Sequence, residues 1–304
     1  LHRRIAFLIV TRAGSSARGL VLGVMAATAF VSMWVSNTST TLMMLPVAVS
    51  IAAIVAEDPV RAGPAERNFS TALVLGVAYA ATIGGVATLI GTPTNALVVA
   101  FMEQTYGVRP GFAEWMVFGL PCTLLLLPLA WWTLVAVTHP FHLPQIGGAR
   151  ELMSEELRGL GPMSTAERRV AAVGIAAAAA WIASPWLRDL PGLGNLSDMG
   201  IAMLAGLSLF IIPAGPGEGG ALLRAEDFRR VPWETLFLFG GGLALAALIQ
   251  DSGLSGRIGA LLSGLAGWPA FAVTATVVLV VLFWTELTSN VATAATFMPV
   301  LAAL

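Results

Sequence analysis

Apolar stretches, most near the ~20 residues that a helix needs to cross a bilayer, follow one another along the whole 304-residue chain, parted by short polar or glycine-rich breaks. Residues 1–16 set Arg3, Arg4 and Arg12 among Ile, Phe, Leu and Val, which predicts an amphipathic helix lying in the membrane interface. Residues 17–35 and 39–56 are apolar, and between them Ser36 to Thr41 place six hydroxyl or amide side chains in a row. Two apolar arms around a polar tip predict a re-entrant hairpin over 17–56, since irregular backbone at membrane depth survives only where protein or a wet cavity satisfies it. The next span, from 69, is interrupted by Gly91-Thr92-Pro93-Thr94-Asn95 and turns apolar again to Met102. Pro93 removes a backbone donor and Gly91 frees the dihedrals, so a broken helix is expected over 69–103. Spans over 113–138, 167–187, 197–213 and 233–250 follow, then a second interfacial stretch over 252–265 and a second hairpin over 269–304.

The two ends of this series are copies of each other. At a fixed offset of 253 positions, without a gap, Leu1–Ile51 falls on Leu254–Leu304 with 14 of 51 pairs identical. The pairs include rare types: Arg4/Arg257, Phe30/Phe283, Ser36-Asn37/Ser289-Asn290, Thr40/Thr293 and Pro46-Val47/Pro299-Val300, while Ser32 meets Thr285. Duplication of a polar-tipped unit in a membrane chain points to a transporter. Five crossings separate the hairpins, an odd number, so the second unit enters from the opposite face and the repeat is inverted. Arginine placement agrees with this topology. Thirteen of the sixteen arginines fall on one side and only Arg109, Arg188 and Arg257 on the other, as the positive-inside rule requires.

Composition narrows the class further. Hydrophobic residues make up 57% and charged residues 11%, with mean hydropathy +0.83, against about 25% charge in soluble domains. A net charge of −1 excludes a basic nucleic-acid surface. The lone Cys122 excludes an internal disulfide. The counterpart of Gly91-Thr92-Pro93 lies beyond Leu304 and that of Trp233–Gln250 lies before Leu1, so the chain reads as a fragment of a longer protein. Three parts are expected: a first-repeat core over 1–112, connecting scaffold spans over 113–250, and the second-repeat interfacial helix and hairpin over 251–304.

The polar tips carry the chemistry. Unsatisfied polar groups away from water cost on the order of 2–7 kcal/mol each, so a doubled Ser-Asn beside a Gly-x-Pro break is kept for a ligand rather than for helix packing. Hydroxyl, amide and freed carbonyl oxygens suit sodium, and exposed helix N-termini favour an anion. A cation site beside an anion site suggests ion-coupled anion transport.

These residues resemble the divalent anion–sodium symporter family, whose members move dicarboxylates, citrate or sulfate. The resemblance rests on Ser36-Asn37-Thr38, Ser289-Asn290, the stretch Gly76–Asn95, the Phe239–Leu245 run and Thr285–Asn290. It implies a first sodium site at Ser32, Ser36, Asn37 and the backbone of Gly91, and a second at Thr285, Thr288 and Asn290. It implies substrate carboxylates held by Asn37, Thr38, Thr92, Ser289 and Asn290. It further implies a homodimer that carries a divalent anion, most readily a dicarboxylate, by an elevator-like movement, with sodium as coupling ion and the cell inner membrane or plasma membrane as its place. Val291 departs from the family pattern, which has Thr after the second Ser-Asn. The resemblance thus implies an all-α, multi-pass membrane protein, an inverted-repeat secondary transporter with two re-entrant hairpins and a broken transmembrane helix.

Three competing readings differ in testable ways. A sodium-independent exchanger or an arsenite-type transporter would share this architecture. An intramembrane enzyme would need a base beside a nucleophile, and only Glu286 near Ser289 offers such a pair. Trp34, Trp131, Trp132 and Trp233 read as interface or packing aromatics, Gly240–Gly242 as close helix packing, and residues 150–158 as a solvated connection.

Overall fold

A computed structural model describes residues 1–12, 16–55, 62–143, 146, 149–215, 218–253, 257 and 267–302. They form two compact units, Leu1–Thr92 with Gly111–Arg229, and Pro93–Pro110 with Arg230–Leu304.

In the first unit, α1 (His2–Arg12) buries Ala6, Phe7 and Val10 and leaves its other face open, as an amphipathic pattern requires. It packs on α2 (Ala17–Ser32), which starts where Ser16 accepts a capping bond from Gly19 N at 3.1 Å. A four-residue turn leads to α3 (Asn37–Val55). The long α4 (Pro64–Val86) has Pro at its first position and a cap in which Glu66 accepts from Gly63 N at 2.8 Å. The core runs through these helices, with Phe69 meeting Phe141 edge-on at 5.4 Å. Residues 87–92 are non-helical, and helix resumes only at Pro93, the first residue of α5 (Pro93–Tyr106). The expected interruption of the helix therefore falls at Gly91–Pro93.

The remaining elements of this unit are α6 (Phe112–Trp132), continued as a π-helix over Thr133–Thr138, then α7 (Ala149–Gly159), α8 (Thr165–Leu187) and α9 (Asp198–Ile211). A second cluster of Phe112, Ala177, Trp181 and Ile201 joins α6 to α8 and α9. Two observations amend the sequence reading. The connection at 150–158 keeps Glu151, Glu155, Glu156 and Arg158 in solvent as expected, but it is a helix whose Met153 is buried in the main core, because its apolar residues recur at helical spacing. A two-stranded antiparallel ribbon, β1 (Pro213–Gly215) with β2 (Glu218–Ala221), follows α9. Strands of three and four residues are too short to leave an alternation signal.

The second unit contains α5, α10 (Trp233–Asp251), α11 (Ala270–Thr285) and α12 (Asn290–Leu301). α10 and α12 pack closely, and α5 touches both. Of the three glycines at 240–242, only Gly242 faces α12: a methyl there would sit 2.7 Å from Ala295 Cβ. The expected close packing is thus made by one glycine of the three. The second interfacial stretch, 252–265, lies almost entirely outside the described residues.

Among the described residues, four helices are long and apolar enough to cross a membrane: Asn37–Val55, Pro64–Val86, Phe112–Thr138 and Thr165–Leu187. Of these, α6 turns Val117, Phe118, Leu124 and Leu125 outward, as lipid-facing helices do. Prolines inside α3, α6, α8 and α12 are tolerated here as they are in membrane helices.

Candidate functional site

Both polar tips fold in the same way. α2 ends at Ser32 and α3 begins at Asn37; α11 ends at Thr285 and α12 begins at Asn290. Each turn is closed by the same pair of backbone bonds: Trp34 N to Val31 O and Thr40 N to Ser36 O in one, Leu287 N to Trp284 O and Thr293 N to Ser289 O in the other, at 2.9–3.0 Å. The serine caps the following helix in each, accepting from Ser39 N at 3.4 Å and from Ala292 N at 3.2 Å.

The hydroxyl five residues before each asparagine donates to its amide oxygen. Ser32 Oγ reaches Asn37 Oδ1 at 2.9 Å, and Thr285 Oγ1 reaches Asn290 Oδ1 at 2.7 Å. A hydroxyl that holds the carbonyl end fixes which way the amide faces and leaves its NH2 end as a donor. Ser36 gives its hydroxyl proton to Ser39 Oγ at 2.9 Å. Ser289 has Ala292 in the matching place. Thr288 turns its hydroxyl to Thr293, and Thr38 is exposed at the second position of α3, where α12 has Val291.

In the first unit the tip is seated on the end of α4. Ser32 shares its one hydroxyl proton between Asn37 Oδ1 and Ala81 O, the latter at 2.7 Å, and the Thr88 hydroxyl donates to Met33 O. The last carbonyls of α4 have no helical partners of their own. Thr123 Oγ1 donates to Ile83 O and Trp115 Nε1 to Val86 O, each at 2.9 Å, so α6 holds this helix end from another side. The negative end of the α4 dipole and the positive start of α3 thus meet beside Asn37, an arrangement that favours a cation against one and an anion against the other.

Two glycines complete the seat. A methyl on Gly85 would lie 2.3 Å from Asn37 Oδ1, and one on Gly91 would lie 2.5 Å from Gly85 O. The structure therefore brings Ser32, Asn37 and Gly91 together around Gly85, while Ser36 points along the exposed tip. In the second unit Thr285, Asn290, Thr288 and Ser289 share one turn. Thr92, half-buried, is the last residue before α5. Sequence reasoning missed Gly85 and Thr88. The signal was present: Gly84-Gly85 inside an apolar helix costs about 1 kcal/mol per glycine, so the doublet marks a close approach.

The other candidates resolve simply. Trp34 packs at 6.4 Å on Phe112, and Trp131 donates to Arg18 O at 2.9 Å, both packing roles. Glu286 closes the end of α11 and is exposed there.

The model of the citrate transporter family matches residues 1–304, the whole chain. The chain belongs to the citrate transporter family. Its similar relatives include the sodium-dependent dicarboxylate transporter SdcS of Staphylococcus saprophyticus, 36% identical over 310 residues, and that of Staphylococcus aureus strain USA300, 37% identical over 309 residues. Both matches cover 100% of this chain and 59% of the relative, so the chain spans about three-fifths of the length of these proteins. Membership in the citrate transporter family, together with the four membrane-length helices among the described residues, makes this a multi-pass integral membrane protein of a transporter family.

Proposed function

We propose that the protein is a secondary transporter of dicarboxylates, driven by sodium across the cell membrane. The observation that carries this reading is the doubled tip, in which a hydroxyl grips the asparagine amide oxygen at 2.9 Å in one copy and 2.7 Å in the other. Each such tip offers amide and hydroxyl donors of the kind that a carboxylate takes. Their neutral oxygens and freed carbonyls are hard ligands of the kind that sodium takes.

In this reading Ser32, Ser36, Asn37 and the Gly91 backbone hold one sodium, and Thr285, Thr288 and Asn290 hold another. Asn37, Thr38, Thr92, Ser289 and Asn290 receive the anion, whose charge is drawn by the starts of α3 and α12. The pairs α2–α3 and α11–α12 are re-entrant hairpins of an inverted repeat, which move elevator-like against a scaffold drawn largely from the spans of 113–250. The working unit is a homodimer. The SdcS relatives, named as sodium-dependent dicarboxylate transporters, support both the cation and the dicarboxylate class.

Uptake of labelled succinate, citrate, malate and sulfate into proteoliposomes tests the proposal. Succinate uptake is expected to require an inward sodium gradient and to vanish when choline replaces sodium. Equal uptake in choline would instead indicate sodium-independent exchange.

A further inference from the structure

Asn37 and Gly91 stand far apart in sequence, and each reaches the first tip by a different route: one opens α3, the other lies in the break after α4. Both arrive at the same residue. Gly85 is the point where they meet, with the Asn37 amide against one side of it and the Gly91 backbone against the other. A Cβ on Gly85 would lie 2.3 Å from Asn37 Oδ1, 3.1 Å from its Cγ and 3.2 Å from its Nδ2, so the amide turns its oxygen edge to the missing side chain. A Cβ on Gly91 would in turn meet Gly85 O at 2.5 Å and Gly85 Cα at 2.9 Å. Hydroxyl bonds dock the turn on both sides of this residue, Ser32 to Ala81 O one helical turn before it and Thr88 to Met33 O just after it.

The neighbouring Gly84 makes a different contact. Its Cβ would strike Ala29 O at 2.3 Å and Ala29 Cα at 2.5 Å, backbone against backbone, where α4 packs on α2. Rigid backbone has no way to yield there. The Asn37 amide, the end of a side chain, does: it swings aside while the helices stay in place.

We propose that Gly85 is the positioning residue of the first cation site: its bare Cα sets the place of Asn37 Oδ1 relative to the Gly91 backbone. This rests on the reading of Ser32, Asn37 and Gly91 as sodium ligands. Gly84, one residue away, serves helix packing alone. A ligand displaced by about a methyl radius loses much of its worth, and changes of this kind behind a metal site cost about 10–100-fold in affinity.

The test uses the full-length protein with two readouts, the sodium concentration for half-maximal succinate uptake and the sodium-induced rise in the unfolding midpoint in detergent. Gly85→Ala is expected to fold, to raise the half-maximal sodium concentration at least tenfold, to reduce the sodium-induced thermal rise, and to alter the preference for sodium over lithium. Gly84→Ala is expected to lower the unfolding midpoint in choline as well. Wild-type sodium dependence in Gly85→Ala overturns the inference. Ser32→Ala and Asn37→Ala separate the two layers: if neither changes sodium dependence, the sodium-site reading itself fails, whereas a change in these with none in Gly85→Ala removes only the role of Gly85. If Gly85→Ala does not fold, the double variant with Asn37→Ser decides. Recovery of folding shows that the space at Gly85 is kept for the Asn37 amide, and failure to recover assigns that space to another contact and overturns the inference.

Discussion

At the scale of single residues, the two tips share a frame and differ in their lining. Ser36, Asn37 and Thr40 recur as Ser289, Asn290 and Thr293, but Thr38, Ser39 and Thr41 become Val291, Ala292 and Ala294. The hydroxyl-to-asparagine bond is common to both, whereas the hydroxyl-rich rim belongs to the first alone. Losing one hydroxyl donor at a carboxylate contact is worth about 1–3 kcal/mol. Val291→Thr is therefore expected to raise uptake of succinate relative to sulfate, by about fivefold or more on that estimate. An unchanged ratio of the two initial rates would show that position 291 does not face the solute. The asparagines and their hydroxyl partners were legible in the sequence because the 253-residue offset aligned them. Gly85 left a trace only as half of the Gly84-Gly85 doublet and Thr88 left none, because what they touch is a backbone or an amide brought in from another helix.

Among the elements, small residues decide how closely helices approach. Gly242 faces Ala295 on α12, while Gly240 and Gly241 face open space. A methyl forced into such a contact costs about 1–3 kcal/mol, whereas glycine to alanine at an open helical position gains about 0.5–1 kcal/mol. Gly242→Ala should lower the unfolding midpoint of the detergent-solubilised protein and Gly240→Ala should leave it unchanged or raise it. Equal effects from the two would mean that α10 and α12 are not held together at this point. Helix positions were readable from apolar runs, since a span of near-uniform hydropathy can be little else in a bilayer. The amphipathic α7 was harder. Its charged face dominates the composition of 149–159, and the burial of Met153 depends on a partner that only the folded chain supplies.

For the whole molecule, the proposed coupling is a statement about linked binding. If sodium builds the place into which the anion fits, each strengthens the other by the same factor. Sodium alone is expected to raise the unfolding midpoint of the full-length protein, and succinate to add a further rise only when sodium is present. Succinate that stabilises equally well in choline would contradict coupling through these tips. The membrane class was plain from composition, because a chain with so few charges has no means of coating itself against water. The short ribbon after α9 was not, because glycine-rich strands of this length have no pattern of their own.

The end of α4 is tied by three side chains from two neighbours: Ser32 at Ala81 O, Thr123 at Ile83 O and Trp115 at Val86 O. A platform anchored in this way cannot bend to suit a smaller ion, because shrinking the cage would require three helices to shift in concert. Discrimination between alkali ions at the first tip would then be inherited from helix spacing, and mutations well away from any ligand, at Thr123 or Trp115, become the ones to watch for altered ion choice.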